Sequence, residues 1–93
     1  MEPETAVANH ASAKKRIRQT LKRTARNRHV RTNVRNCIKR VRRAIVAGDR
    51  AAADQALALA VSRIDRAVSK GVYHRKTGSR YISRLVRQVS ALS

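Results

Sequence analysis

The sequence predicts an all-α protein, a three-helix antiparallel bundle with an extended, basic N-terminal helix projecting beyond the bundle. Three observations predict it. Residues 12–47 contain neither Gly nor Pro and are rich in Ala, Arg, Lys, Leu and Ile, a helix-permissive composition. Apolar residues recur at steps of three and four in three separate segments, each one face of a helix. The first of these apolar stripes begins only at Val30, well inside the helix-permissive stretch.

The elements follow in order. Residues 1–11 carry a Pro and no apolar pattern and are expected to be a disordered tail. The first helix is expected over about 12–47, with Val30, Val34, Cys37, Ile38, Val41 and Ile45 as its buried stripe. Gly48 offers a C-terminal cap and Asp49 an N-cap to a second helix over about 50–70. There Leu57, Val61, Ile64 and Val68 step by four, three and four, with Ala53, Ala56, Ala60 and Ala67 beside them. Gly71 repeats the capping device, with Val72 placed to fold back on the preceding turn. A third helix over about 75–92 carries Ile82, Leu85, Val86, Val89 and Leu92, and Gly78 is a weak point in its first turn. Short connections make successive helices antiparallel. Residues 12–29 have only Ile17 and Leu21 as large apolar residues, so this part has no core to dock on and is expected to order on a partner.

Charge names the class of partner. Fourteen Lys or Arg lie between Glu4 and Asp49 with no Asp or Glu among them, and residues 1–48 hold +12 of the net +18. A polycation of this density repels itself, and a bound polyanion stabilises its fold. Lys14, Arg18 and Lys22 share one helix face, Lys15, Lys22 and Arg26 the next, and Arg28, Arg31 and Arg35 continue along it. Arg outnumbers Lys, and the planar guanidinium suits phosphate oxygens better than an ammonium does. A solvated charged face mixes both signs for intrahelical pairing; here that pairing is impossible. Lys14, Lys15 and Arg16 fall in the expected first turn, where the helix dipole is already positive. A phosphate on the free N–H groups would relieve this, with Asn9, His10 and Ser12 as donors; a later helix start would remove the conflict equally.

Other classes fit poorly. A membrane-active helix needs Trp or Phe at its apolar face, and the chain has neither. Tyr73 and Tyr81 are its two aromatics, poor material for a base-stacking platform. His10, His29 and His74 show no metal-ligand spacing, and Cys37 falls within the apolar stripe as a small hydrophobe. Asp49 is a cap, and Asp54 and Asp65 serve as partners for nearby Arg. There is no Gly-rich phosphate loop, nucleophile motif or carboxylate pair, so neither an enzyme nor a cofactor is expected. A lone cysteine and an acidic Met1-Glu2-Pro3-Glu4 start make the cytoplasm the expected compartment. A nucleoid-type DNA-binding protein shares the charge but needs dimerisation or a minor-groove wedge.

Specific strings narrow this further. Ala8-Asn9-His10, Ser12-Ala13-Lys14-Lys15-Arg16-Ile17-Arg18-Gln19, Arg26-Asn27-Arg28-His29-Val30-Arg31, Ala47-Gly48-Asp49 and Lys70-Gly71-Val72-Tyr73-His74 resemble, in order and spacing, the family of the bacterial small-subunit ribosomal protein numbered twenty. The resemblance implies a three-helix bundle with a long first helix. It also implies direct binding to 16S ribosomal RNA, chiefly its 5′ domain, during early assembly. The chain would be a monomer within the subunit, beside other small-subunit ribosomal proteins. Carried onto this sequence, the RNA-contacting positions are Asn9, His10, Ser12, Lys14, Lys15, Arg16, Arg18, Lys22, Arg23, Arg26, Arg28, His29, Arg31 and Arg35. His74, Arg75, Lys76 and Arg80 would add contacts from the other end of the bundle. Ala11 stands where the family usually has Lys, Lys76 where a capping Asn is common, and Gly78 where Ala is usual. Residues 1–7 precede the usual start, and Val7 is expected to be the initiator, read as Met from a GUG codon.

Overall fold

The computed structural model describes the backbone of residues 3–92 and the side chains of residues 11–92. Three helices follow one another, α1 (Pro3–Val46), α2 (Arg50–Ser69) and α3 (Arg75–Ser90). The molecule is a rod, 71 × 20 × 15 Å, because α1 alone has 44 residues and is about 66 Å long at 1.5 Å per residue. The helix begins at Pro3, ahead of the Ser12 start and across the stretch assigned to a tail. Proline suits the first helical position, where its missing N–H has no partner to lose, and nothing between Glu4 and Ser12 breaks the helix.

Both chain reversals use one device. Gly48 has φ of 71° and Gly71 has φ of 76°, left-handed values that glycine adopts without a Cβ penalty. At the first turn the Gly48 N–H reaches the Ile45 carbonyl at 3.0 Å and the Asp49 N–H reaches Ala44 at 3.1 Å. At the second, Gly71 N–H to Val68 and Val72 N–H to Ala67 repeat the pattern at 3.0 Å each. These are Schellman closures, which satisfy carbonyls that a helix end leaves open. Asp49 then caps α2, its carboxylate accepting from the Ala52 N–H at 3.0 Å. Val72 is folded back into the core, as its position after Gly71 predicts.

The core is small and built from small side chains. Val34, Cys37, Val41 and Ala44 come from α1, Ala53, Ala60, Ile64 and Ala67 from α2, and Leu85 and Val89 from α3. On α2 Ala53, Ala60 and Ala67 are buried more deeply than Leu57, which only packs against the cluster, so α1 and α2 meet largely across short side chains. Val86 remains 43 % exposed and drops out of the expected α3 stripe. Cys37 is buried, with its thiol 3.5 Å from Asn33 Oδ1. Arg50 bridges the free ends of α2 and α3: its Nε meets Asp54 at 3.2 Å and its Nη1 donates to the Leu92 carbonyl at 2.8 Å.

Gly78 is a packing residue rather than a weak point. It is buried, and a Cβ built on it would lie 2.6 Å from Val68 Cγ2 and 3.4 Å from Ile64 Cγ2. Its hydrogen atom lets the first turn of α3 approach α2. Gly→Ala in a helix normally stabilises by about 0.5–1 kcal/mol. Here Gly78→Ala is expected to destabilise instead, by roughly 1–3 kcal/mol for overpacking, with part of the loss recovered in Gly78→Ala/Val68→Ala. Thermal melts of the four-member cycle followed by circular dichroism test this; a raised Tm in the single variant refutes it.

Candidate nucleic-acid interface

The apolar line of α1 explains where the bundle stops. Traced toward the N-terminus from Val34 and Val30 at steps of three and four, it continues as Asn27, Arg23, Gln19 and Arg16. Beyond Asn27 the face that could dock is therefore polar, and every side chain from Ala11 to Arg26 is exposed. Ile17 and Leu21, 58 % and 64 % exposed, lie off that line, on the side of the helix that Arg35 and Lys39 occupy five full turns further on. They could not have extended the bundle.

Two lines of basic residues flank the apolar one. Lys15, Arg18, Lys22, Arg26 and His29 follow the first, which runs into the groove between α1 and α2. There His29 and Asn33 meet Arg63, Arg66 and Lys70 of α2. Arg28, Arg31, Arg35, Lys39 and Arg42 follow the second, which runs along the groove between α1 and α3. Lys14 leads this second line, whereas Arg16 and Arg23 occupy the core line itself. Ser12 is exposed beside them. None of the α1 cations has a carboxylate partner: among the described residues the ion pair is Arg50–Asp54. Asp65, expected to pair with an Arg, forms no such pair.

Three sequence expectations change here. Because α1 starts at Pro3, Lys14, Lys15 and Arg16 are interior to the helix. Their N–H groups are committed within it, which removes the phosphate site expected at a helix end there. The backbone of Asn9 and His10 lies in α1, while their side chains fall outside the described residues. The second change concerns His74, Arg75, Lys76 and Arg80, which do not act from the other end of the bundle. The α2–α3 turn sits where α1 enters the bundle, with Arg26 Nη2 3.5 Å from the Lys70 carbonyl and Arg31 and Arg35 within electrostatic reach of Tyr73. Antiparallel packing of α2 on α1 returns the chain to that point.

The third change is the cap. Lys76 replaces the Asn that commonly caps this helix, and His74 supplies the cap instead: its Nδ1 accepts from the Lys76 N–H at 3.1 Å. One ring nitrogen is thereby used structurally, leaving Nε2 for a partner. Arg26 is also partly engaged, donating to Asn27 Oδ1 at 3.2 Å. Sequence reasoning missed Lys39, Arg42 and Arg84, which meet in the α1–α3 groove, and Arg63, Arg66 and Lys70 in the other. Lys39 and Arg42 could have been found, since they continue the spacing of Arg28, Arg31 and Arg35.

The tyrosines stand together beside this surface. Their ring centroids are 5.7 Å apart and nearly perpendicular, at 79°, a favourable edge-to-face contact. Burial pushes the Tyr73 phenol above its usual 10.0, Tyr81 adds to this, and Arg35 and Arg31 pull it back in part. Among the described residues no group of three or more His, Cys, Asp or Glu side chains could hold a metal, and no helix is long and apolar enough to cross a membrane.

Comparison with known proteins agrees with this arrangement. Residues 8–90 match the family model described as ribosomal protein S20. The chain belongs to that family. It is 58 % identical over 86 residues to small ribosomal subunit protein bS20 of Geotalea uraniireducens, covering 92 % of this chain and 99 % of the relative. The protein of the same name from Geotalea daltonii is 56 % identical over 87 residues, covering 94 % and 100 %. That from Maricaulis maris is 51 % identical over 87 residues, covering 94 % and 99 %. The family is one of structural ribosomal proteins rather than enzymes, and the bundle with a long basic α1 is the architecture that the resemblance implied.

The raised Tyr73 value has a consequence for stability. A group whose folded pKa lies above its unfolded one contributes stability that is present below the unfolded value and lost as pH rises through the folded one. Melting temperatures are therefore expected to fall as pH rises past 10, and to fall less in Tyr73→Phe. Identical alkaline profiles for the two proteins would exclude Tyr73 as the source.

Proposed function

We propose that this chain is a structural constituent of the small ribosomal subunit that binds 16S ribosomal RNA directly, chiefly its 5′ domain, and supports subunit assembly. The observation that carries the reading is the projecting half of α1, whose cations are exposed and have no carboxylate partner. Such a rod is suited to lie between RNA helices and neutralise phosphates that must approach one another. Duplex RNA offers phosphates and 2′-hydroxyls across a shallow minor groove, so recognition rests on RNA shape rather than base sequence. The first-line residues Lys15, Arg18, Lys22 and Arg26, the second-line residues Lys14, Arg28, Arg31 and Arg35, and Arg16 and Arg23 between them are the backbone contacts. Asn9, His10, Ser12 and His29 add polar ones. Arg75, Lys76, Arg80 and Nε2 of His74 contact RNA beside the point where α1 leaves the bundle. Residues 12–29, which self-repel, gain their helical order on the RNA. Other small-subunit ribosomal proteins are neighbours of the monomeric chain, and the compartment is the cytoplasm.

Two measurements test this. Sucrose-gradient fractionation of a native lysate is expected to place the protein, in stoichiometric amount and through a high-salt wash, with the small subunit. Recovery with the nucleoid, together with equal affinity for random duplex DNA and 16S RNA, would favour the DNA-binding alternative. Binding to a 5′-domain transcript is expected to weaken steeply with salt, log affinity falling by roughly 0.7–0.9 per neutralised phosphate per decade. Replacing Arg28, Arg31 and Arg35 together by Gln should flatten that slope by about 2–3; an unchanged slope would remove them from the interface.

A further inference from the structure

The groove between α1 and α3 differs in kind from the projecting rod. Arg35, Lys39 and Arg42 of α1 face Arg84 of α3 across it, while Ile38, Leu85 and the Tyr81 ring also line it. Four cations thus converge with no acid among them, and the ion pair of the described residues lies elsewhere, at Arg50–Asp54. Such a cluster is costly unless an anion lies in it. The lining is also half apolar, which a duplex backbone does not call for. A nucleotide does: it presents a phosphate on one side and a flat, weakly polar base and ribose on the other. Tyr81 is half-buried and held by its perpendicular contact with Tyr73, so its ring is positioned before any partner arrives. From Arg35 to Arg42 the groove runs about 10 Å along α1, the length of roughly three stacked nucleotides at 3.4 Å each.

We propose that the α1–α3 groove is a second RNA-contacting surface that takes a short unpaired strand, with phosphates on Lys39, Arg42 and Arg84 and a nucleoside against Tyr81. This rests on the reading that the partner is RNA, and assigns to the bundle a different RNA structure from the one bound by the rod. The rod holds paired backbone; the groove holds a loop, bulge or strand end.

The test uses the full chain and two probes, hexauridylate and a blunt RNA duplex of about 20 base pairs, long enough to span the rod, each read by fluorescence anisotropy. Tyr81→Leu is expected to weaken hexauridylate binding roughly five- to a hundredfold, the range for losing one stacked base, while Tyr81→Phe retains it. Arg84→Gln should weaken the same probe and reduce its salt slope by about one. Duplex affinity should change less than twofold in these variants, but fall in Arg18→Gln/Lys22→Gln. Because Tyr81 packs on Tyr73, each variant is checked by its melt; Arg84 is exposed, so Arg84→Gln reports even where Tyr81→Leu fails to fold. Hexauridylate binding that is indifferent to Arg84→Gln and to a folded Tyr81→Leu overturns the proposal. So does equal loss on both probes, or hexaglutamate binding as tightly as hexauridylate. A chain that binds neither RNA overturns the reading beneath it as well, whereas intact duplex binding with an indifferent groove overturns the groove alone.

Discussion

Everything in this molecule depends on how far along α1 an apolar face can be sustained. From Val30 to Ala44 that face meets the alanine row of α2, and the close approach allowed by Ala53, Ala60 and Ala67 makes a dry core out of little volume. At Asn27 the face turns polar, and from there α1 has only backbone hydrogen bonds to hold it. One helix is thus two objects, a bundle member and a free rod, divided by a change in side-chain chemistry rather than by a break in the backbone.

The charge distribution uses the same division. Within the bundle Arg31, Arg35, Lys39 and Arg42 keep to one edge of the α1 interface, and two grooves there are lined with bases from α1 and its neighbours. Along the rod they also occupy the continuation of the core line, at Arg16 and Arg23, because no neighbour reserves that face. The molecule accordingly presents two kinds of basic surface, one that can be surrounded and grooves that can be entered. The α2–α3 turn ties the two together. His74 caps α3 there, and just before it the Lys70 carbonyl accepts from Arg26 while Tyr73 feels the charge of Arg31.

Much of this was legible in the sequence, because the signals were local. Gly48, Asp49, Gly71 and Val72 announced both turns through chemistry that acts within a few residues. The late beginning of the apolar stripe at Val30 announced the rod. What the sequence did not disclose needed a third dimension. Gly78 read as a flaw in a helix until Val68 was seen against it. With Lys76 in place of the Asn common in the family, the sequence shows no cap for α3, because an imidazole nitrogen accepting a backbone N–H leaves no mark in the sequence. The residues before Ser12 carry one Pro and no apolar pattern, which hides the earlier start of α1, although the first helical position is where proline does no harm. Arg84 joins Lys39 and Arg42 only through the packing of α3 on α1, which no spacing within one helix reveals.

The unbroken passage of α1 from core to rod gives the protein a lever arm. Residues 3–26 of α1 extend about 36 Å past the bundle, with no hinge residue at the junction, so the tip inherits the orientation of the packed half. A change in direction of 10° near Asn27 would carry the tip roughly 6 Å sideways over that length, about the pitch of a helical turn. Partial neutralisation has a mechanical effect for the same reason. An anion along one side of the rod relieves repulsion on that side alone, and the rod bows toward it. In its helical form the rod is therefore aimed by the packing of the bundle, and a load on the rod is felt by the bundle.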